Sequence, residues 1–129
     1  MDAAPQELVD LARNWARAGH ARDGELLASM SRPPSPDAVF TIASAPEAIL
    51  TLGELTEHLT EVIPCPLRHS EPAGFVDGDF AWLVDTPDVD IPGEGTIHLR
   101  ITTILRREDG EWKVVHGHLS EGVAHLVND

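Results

Sequence analysis

Residues 100–120 read RITTILRREDGEWKVVHGHLS. Two runs rich in β-branched and apolar residues flank Asp109-Gly110, a dipeptide strongly disposed to join two strands as a tight hairpin. Side chains alternate between faces along a strand, so His116, His118 and Ser120 share one side of the second run. What that side meets depends on the turn. A two-residue turn at Asp109-Gly110 pairs Arg107 with Trp112 and Thr103 with His116. A three-residue loop over residues 108–110, with its glycine left-handed, pairs Arg107 with Glu111. The second register sorts the side chains more cleanly and is the one expected here. It gathers Leu99, Ile101, Thr103 and Leu105 with Val115, Gly117 and Leu119. The other face then holds His98, Arg100, Thr102, Ile104 and Arg106 beside Trp112, Val114, His116, His118 and Ser120.

Composition narrows the class of protein around this hairpin. The chain has 129 residues, the size of one domain, and residues 1–129 are read as a single unit able to bury roughly 65–70% of its unfolded surface. Its net charge of -13 argues against nucleic acid and anionic membranes as partners, because both are polyanions that recruit basic patches. Seven histidines can offset part of that charge at mildly acidic pH. Cys65 is the only cysteine, which excludes an intrachain disulfide. No apolar run approaches eighteen residues, and the first residues lack the basic and apolar regions of a secretion signal. The expectation is a soluble cytoplasmic protein.

The first half of the chain is helical in pattern and the second half is strand-rich. From Pro5, expected at the first helical position, Leu8, Leu11, Ala12, Trp15 and Ala16 recur at the spacing of one buried helix face. Gly19 and Gly24 loosen that helix before Leu26, Leu27 and Met30 continue or restart it. Three prolines make residues 32–37 a loop, and residues 39–43 a short strand. Thr51 and Glu54 form a capping-box pattern ahead of a second helix whose buried face is Leu52, Leu55, Leu59, Val62 and Ile63. Pro64 and Pro66 end it around Cys65, which reads as a packed, inert thiol. A strand over residues 67–76 then leads through Asp77-Gly78 into a second over residues 80–84. Residues 87–95 read as an acidic, solvated loop, their carboxylates lacking the order of a calcium loop.

These features together resemble SnoaL-like proteins of the nuclear transport factor 2 superfamily, in the branch similar to the association domain of calmodulin-dependent protein kinase II. The likeness rests on TTILRREDGEWKVVHGHLS (residues 102–120) and DAVFTIASAPEAILTLG (residues 37–53). It is joined by Trp15 with residues 19–23, and by GDFAW (residues 78–82). It spans residues 8–122. The resemblance implies an α+β fold, a cone-shaped curved mixed sheet wrapped around a long N-terminal helix, with an internal pocket. It also implies a homodimer packed through the outer sheet faces. Family members include isomerases, dehydratases, cyclases, epoxide hydrolases and non-catalytic assembly modules, so the fold does not select a function.

The family's known chemistries find few matching residues. A steroid-isomerase-type site resembles a strand carboxylate plus a tyrosine, and this chain has no tyrosine. An Asp-Arg-Asp hydrolase site would need Arg100 inside, and the expected register turns it out. The pocket is expected to be lined by Trp15, Trp82, Leu99, Ile101, Thr103, Val115 and Leu119, with Thr103 the lone polar group from the last hairpin. The dimer interface is expected at His98, Arg100, Thr102, Trp112, His116, His118 and Ser120. In this register Arg100 stands across from His118, with His98 diagonal to it. That cation opposes a metal, so no metal or cofactor is expected. Under the alternative turn, His116 and His118 face the pocket as catalytic acid and base. His20 and Asp23 suggest a helix-end cap and His58 a solvated surface. The resulting expectation is a small-hydrophobic-ligand-binding dimer, with isomerase, cyclase or dehydratase chemistry open. The alternative is a non-catalytic oligomerisation or regulatory module.

Overall fold

The computed structural model describes residues 1–32, 48–61 and 63–121 together with the backbone of residues 41–42. The first helix, α1 (Gln6–His20), follows a two-residue strand, β1 (Asp2–Ala3). It buries Leu8, Ala12, Trp15, Ala16 and Ala18, the stripe its spacing dictates. Pro5 is the N-cap rather than the first helical residue, and its carbonyl accepts the amides of Leu8 and Val9. The chain breaks at residues 21–23, with Arg22 at φ 62°, and restarts as α2 (Gly24–Ser29). The Asp23 carboxylate caps α2 by accepting the Leu26 amide at 3.1 Å. That bond occupies Asp23 as a cap without His20.

Two short strands, β2 (Thr41–Ile42) and β3 (Ile49–Leu50), precede α3 (Leu52–His58). The remainder of the expected strand over residues 39–43, and most of the proline loop before it, lie outside the described residues. The capping box forms as its sequence requires. Glu54 Oε1 accepts the Thr51 amide at 3.1 Å, and Thr51 Oγ1 accepts the Glu54 amide at 3.3 Å. The helix ends sooner than its apolar spacing suggests. Thr60 and Glu61 donate to Glu57 and His58 in tight i→i−3 turns. Leu52, Leu55 and Leu59 are therefore buried while Ile63 is exposed, and Val62 lies outside the described residues.

The strands that follow are β4 (Ala73–Asp77), β5 (Phe80–Asp85), β6 (Asp88–Ile91), β7 (Gly95–Glu108) and β8 (Glu111–Glu121). Sheet order is β1-β4-β5-β7-β8-β2-β3, with β6 paired to the start of β7. The pairing of β2 with β8 is parallel, so the sheet is mixed. Residues 67–72, expected in a strand, are irregular apart from an Arg68–Asp88 bridge. The acidic stretch is not a loop throughout. Residues 88–91 pair with 95–98 as a hairpin arm, because the side chains of Asp90 and Thr96 bond across it at 2.7 Å.

The long hairpin begins in the two-residue-turn register and then shifts to a pairing that neither expected register contains. Asp109 (φ 52°) and Gly110 (φ 80°) both adopt left-handed backbone, the geometry of a two-residue hairpin turn, and Arg107 faces Trp112. Leu105 then pairs with Val114, but Ile104 pairs with His116. Val115 is the extra residue of a bulge, and it reverses the facing of everything beyond it. From there Thr103 meets Gly117, Thr102 meets His118 and Arg100 meets Ser120. Val114 is fully buried and Trp112 packs on the core, which corrects their expected place on the outer face. Backbone bonds from Arg32 to the Val114 carbonyl and from Val114 to the Met30 carbonyl, both 2.9 Å, stitch this segment to the end of α2.

The helices fill the concave side. Leu8, Ala12, Trp15 and Ala18 of α1, Leu27 of α2, and Leu52, Leu55 and Leu59 of the third helical segment pack with Ala81, Leu83, Leu105 and Val114 of the sheet. A smaller cluster of Cys65, Val89 and Leu99 closes the far end, with Leu67, Ile91, Ile97 and Leu119 against it. The product is a curved α+β cone wrapped around its first helix.

Candidate functional site

The inner face of β7 links the two clusters. Leu105 belongs to the large one and Leu99 to the small one. Ile101 and Thr103, on the same face between them, belong to neither, and both are buried. Gly117 and Leu119 of β8 stand opposite Thr103 and Ile101. Thr103 is 2% exposed, a single hydroxyl on an apolar wall. From α1, Trp15 closes the core with its indole N–H donated to Ser31 Oγ at 3.0 Å. The Ser31 hydroxyl donates in turn to the Leu27 carbonyl at 2.6 Å, so the polar edge of Trp15 is satisfied inside protein.

One further polar group faces this interior, and it was not anticipated. Asp85 continues the inward alternation of Ala81 and Leu83 and is 5% exposed. Its carboxylate accepts the Ser70 hydroxyl at 2.6 Å and the Glu71 amide at 2.9 Å, and Arg13 Nε holds the Ser70 carbonyl at 3.2 Å. Asp85 is thus an anchor that ties the irregular segment before β4 to the sheet. The period-two pattern of β5 was the signal for it. His20 ends α1 and is half-buried. Its Nδ1 lies 3.0 Å from the Ala16 carbonyl, and burial lowers its pKa below the ordinary histidine value.

Several residues expected at the site lie elsewhere. Trp82 lies on the outward face, its ring tilted 43° against that of Phe75 with centroids 6.0 Å apart, because Ala81 and Leu83 take the inward positions of β5. Val115 is the half-buried bulge residue rather than a member of the inward row. His116 and His118 point outward with Ile104 and Thr102, away from any interior acid–base role. His98 does not approach His118. It sits on the β6–β7 arm and donates from Nδ1 to Asp88 Oδ1 at 2.5 Å, while His69 donates to Asp88 Oδ2 at 3.0 Å. These two hydrogen bonds hold the Asp88 carboxyl below the ordinary carboxylate range. Among the described residues no group of three or more His, Cys, Asp or Glu side chains is arranged to hold a metal ion. His58, expected at a solvated surface, has a buried Nε2 without a hydrogen-bond partner among the described residues.

The outward face is unusually apolar. One row across the strands runs Phe75, Trp82, Ile104, His116, and the next runs Ala73, Val84, Thr102, His118. Phe75, Phe80, Trp82 and Val84 are 46%, 48%, 37% and 48% exposed. Arg106 lies over the Phe80 ring at 5.3 Å. Both aromatic side chains of β5 therefore face out. Among the described residues no helix is long and apolar enough to cross a membrane.

Comparison with known proteins bears on this geometry. The SnoaL-like domain family matches residues 8–124. No curated protein shows significant similarity to the chain. Among solved structures, a protein from Thiobacillus denitrificans provisionally named a calcium/calmodulin-dependent protein kinase type II association domain is similar with a TM-score of 0.71 and 15% identity. The match covers 87% of this chain and 92% of that one. A provisionally named dehydratase of the nuclear transport factor 2-like family from Streptomyces avermitilis is similar with a TM-score of 0.66 and 22% identity, covering 94% and 100%. A provisionally named ketosteroid isomerase from Parabacteroides distasonis is similar with a TM-score of 0.65 and 20% identity, covering 92% and 88%. At these identities the likeness is one of fold.

Proposed function

Because the chain belongs to the SnoaL-like domain family, we propose that it binds a small, largely apolar molecule inside its cone and pairs with a second copy through its outer sheet face. The carrying observation is the stretch of β7 between the two packed clusters, where Ile101 and the lone hydroxyl of Thr103 face inward. An apolar wall with one orienting polar group is how ligand sites are commonly built. Trp15, Leu99 and Leu119 complete the proposed lining. The names of the Streptomyces and Parabacteroides neighbours fit proton-transfer chemistry on such a ligand. The whole chain acts as one domain on this reading. Its single cysteine is in keeping with a reducing, cytoplasmic setting.

The pairing rests on the row of Phe75, Phe80, Trp82 and Val84, because exposed apolar patches of this kind mark interaction sites. Thr102, His116, His118 and Ser120 border it, and Arg100 extends that border along β7. A second reading, a non-catalytic association module, draws on the same face and on the name of the Thiobacillus neighbour. Native mass spectrometry of gently purified protein separates the two. The ligand reading predicts a dimer carrying an organic adduct that disappears on denaturation. The module reading predicts a dimer or larger ring with nothing bound, and a bare monomer contradicts both.

A further inference from the structure

From Pro64 to Pro72 the chain belongs to no strand. Pro64, Pro66 and Pro72 lack the N–H that a ladder needs, and His69 takes left-handed backbone at φ 60°. Backbone bonds attach this stretch at two places only among the described residues. The Cys65 amide donates to the His20 carbonyl at 3.1 Å, and Arg68 exchanges two bonds of 2.8 Å with Asp88. Carboxylates of the sheet make most of the remaining attachment. Asp85 accepts the Ser70 hydroxyl and the Glu71 amide. Asp88 Oδ2 accepts from His69 at 3.0 Å, and Asp90 accepts from Arg68 at 2.8 Å. Arg13 of α1 adds its bond to the Ser70 carbonyl. On the underside, Cys65 and Leu67 pack with Val89 and Leu99. A segment held by side chains and few backbone bonds opens at a lower free energy than a laddered strand.

We propose that residues 64–72 are a hinged cover over the Leu99 end of the inner wall, clasped by Asp85, Asp88 and Asp90. The cover opens as one unit while the sheet stays folded. Its apolar contact rests on two side chains, Cys65 and Leu67, so lifting it exposes far less apolar surface than unfolding does. The clasp is braced from the sheet side and outlasts the opening. Asp88 keeps His98 of β7 on its Oδ1, and Asp90 keeps the Thr96 hydroxyl. Both carboxylates thus stay placed for the cover to return. Opening uncovers Leu99, from which Ile101 and Thr103 continue the same face of β7. The cover is therefore the entry for the apolar molecule. That entry role rests on the ligand reading above, whereas the opening itself does not.

Cys65 is the only cysteine and is buried on the underside of the cover. Its labelling by 5,5′-dithiobis(2-nitrobenzoate) therefore reports opening in the native protein. Labelling of the wild type should be slower than in the urea-unfolded chain, yet almost independent of urea below the unfolding transition. This readout needs no variant, so no folding defect can mimic it. Asp88→Ala should speed labelling about 10-fold. Asp79→Ala, which loses only the exposed pair with Arg107 at the opposite end of β5, should label as the wild type does. Labelling with the full urea dependence of global unfolding overturns the proposal, as does an equal rate in D88A and the wild type. The entry role is read with Nile red, a neutral dye that brightens in apolar surroundings. Dye association about 10-fold faster in D88A supports entry at the cover, and an unchanged association rate beside faster labelling overturns it. Urea-independent labelling without any dye binding overturns the ligand reading and the entry role while supporting the opening.

Discussion

At the scale of single residues, Val115 decides which side chains the interior receives. With a two-residue turn and no bulge, Thr103 would face His116, and an imidazole would enter the wall. The extra residue returns Gly117 to that position and keeps both histidines outside. Deleting Val115 should force a polar ring inward or break the pairing, costing roughly 2–3 kcal/mol, read from urea unfolding. Val115→Ala should cost less than about 1 kcal/mol, because the bulge survives. His20 works through pH. Its folded-state pKa lies below the ordinary histidine value of 6.5, so its neutral form is fully compatible with folding above that pH. As pH falls below 6.5 the unfolded chain binds a proton that the folded chain resists, and stability declines until the lowered folded value is passed. The urea midpoint of the wild type should therefore drop between pH 7 and 5 more than that of His20→Asn. Asp88 occupies another window, its contribution complete above 3.8 and lost as pH falls through its depressed folded value.

At the scale of elements, β4 and β5 pack too closely for any side chain at Gly74, where an added Cβ would meet the Trp82 carbonyl. Gly74→Ala should disrupt that pairing and cost at least about 3 kcal/mol, seen as a lower melting temperature and lost protection of β5 amides. The α1 stripe, the Thr51–Glu54 box and the long hairpin were legible in the sequence, because each depends on local spacing or capping. The bulge was not, because Val114 and Val115 are equally apolar and either could face inward. Their choice is made by the Met30–Arg32 segment bonded to Val114, a tertiary contact. Trp82 was misplaced for a related reason. Apolar sorting alone sends the larger residues of β5 inward, whereas the helices leave room there only for Ala81 and Leu83. The interior placement of Thr103, Ile101 and Leu99 was legible because three alternate positions of one strand agreed.

At the scale of the whole molecule, an acidic chain of net charge -13 carries on one sheet face a band of Phe75, Phe80, Trp82 and Val84 with Arg106 over Phe80. Two such molecules repel one another overall, and the band offers contact where arginine and histidine replace much of the acidic surface. The inner wall and the outer face are opposite sides of the same strands, so alternation lets each change with little effect on the other. Separate faces of one sheet would thus serve the proposed binding and the proposed pairing. The most direct test is native mass spectrometry of Trp82→Arg beside the wild type. The variant is expected to dissociate to monomer, with dimer affinity weakened at least about 30-fold, while each monomer keeps the organic adduct expected of the wild type. A variant that remains as tightly dimeric as the wild type, or one that loses the adduct along with its partner, would contradict that division of faces.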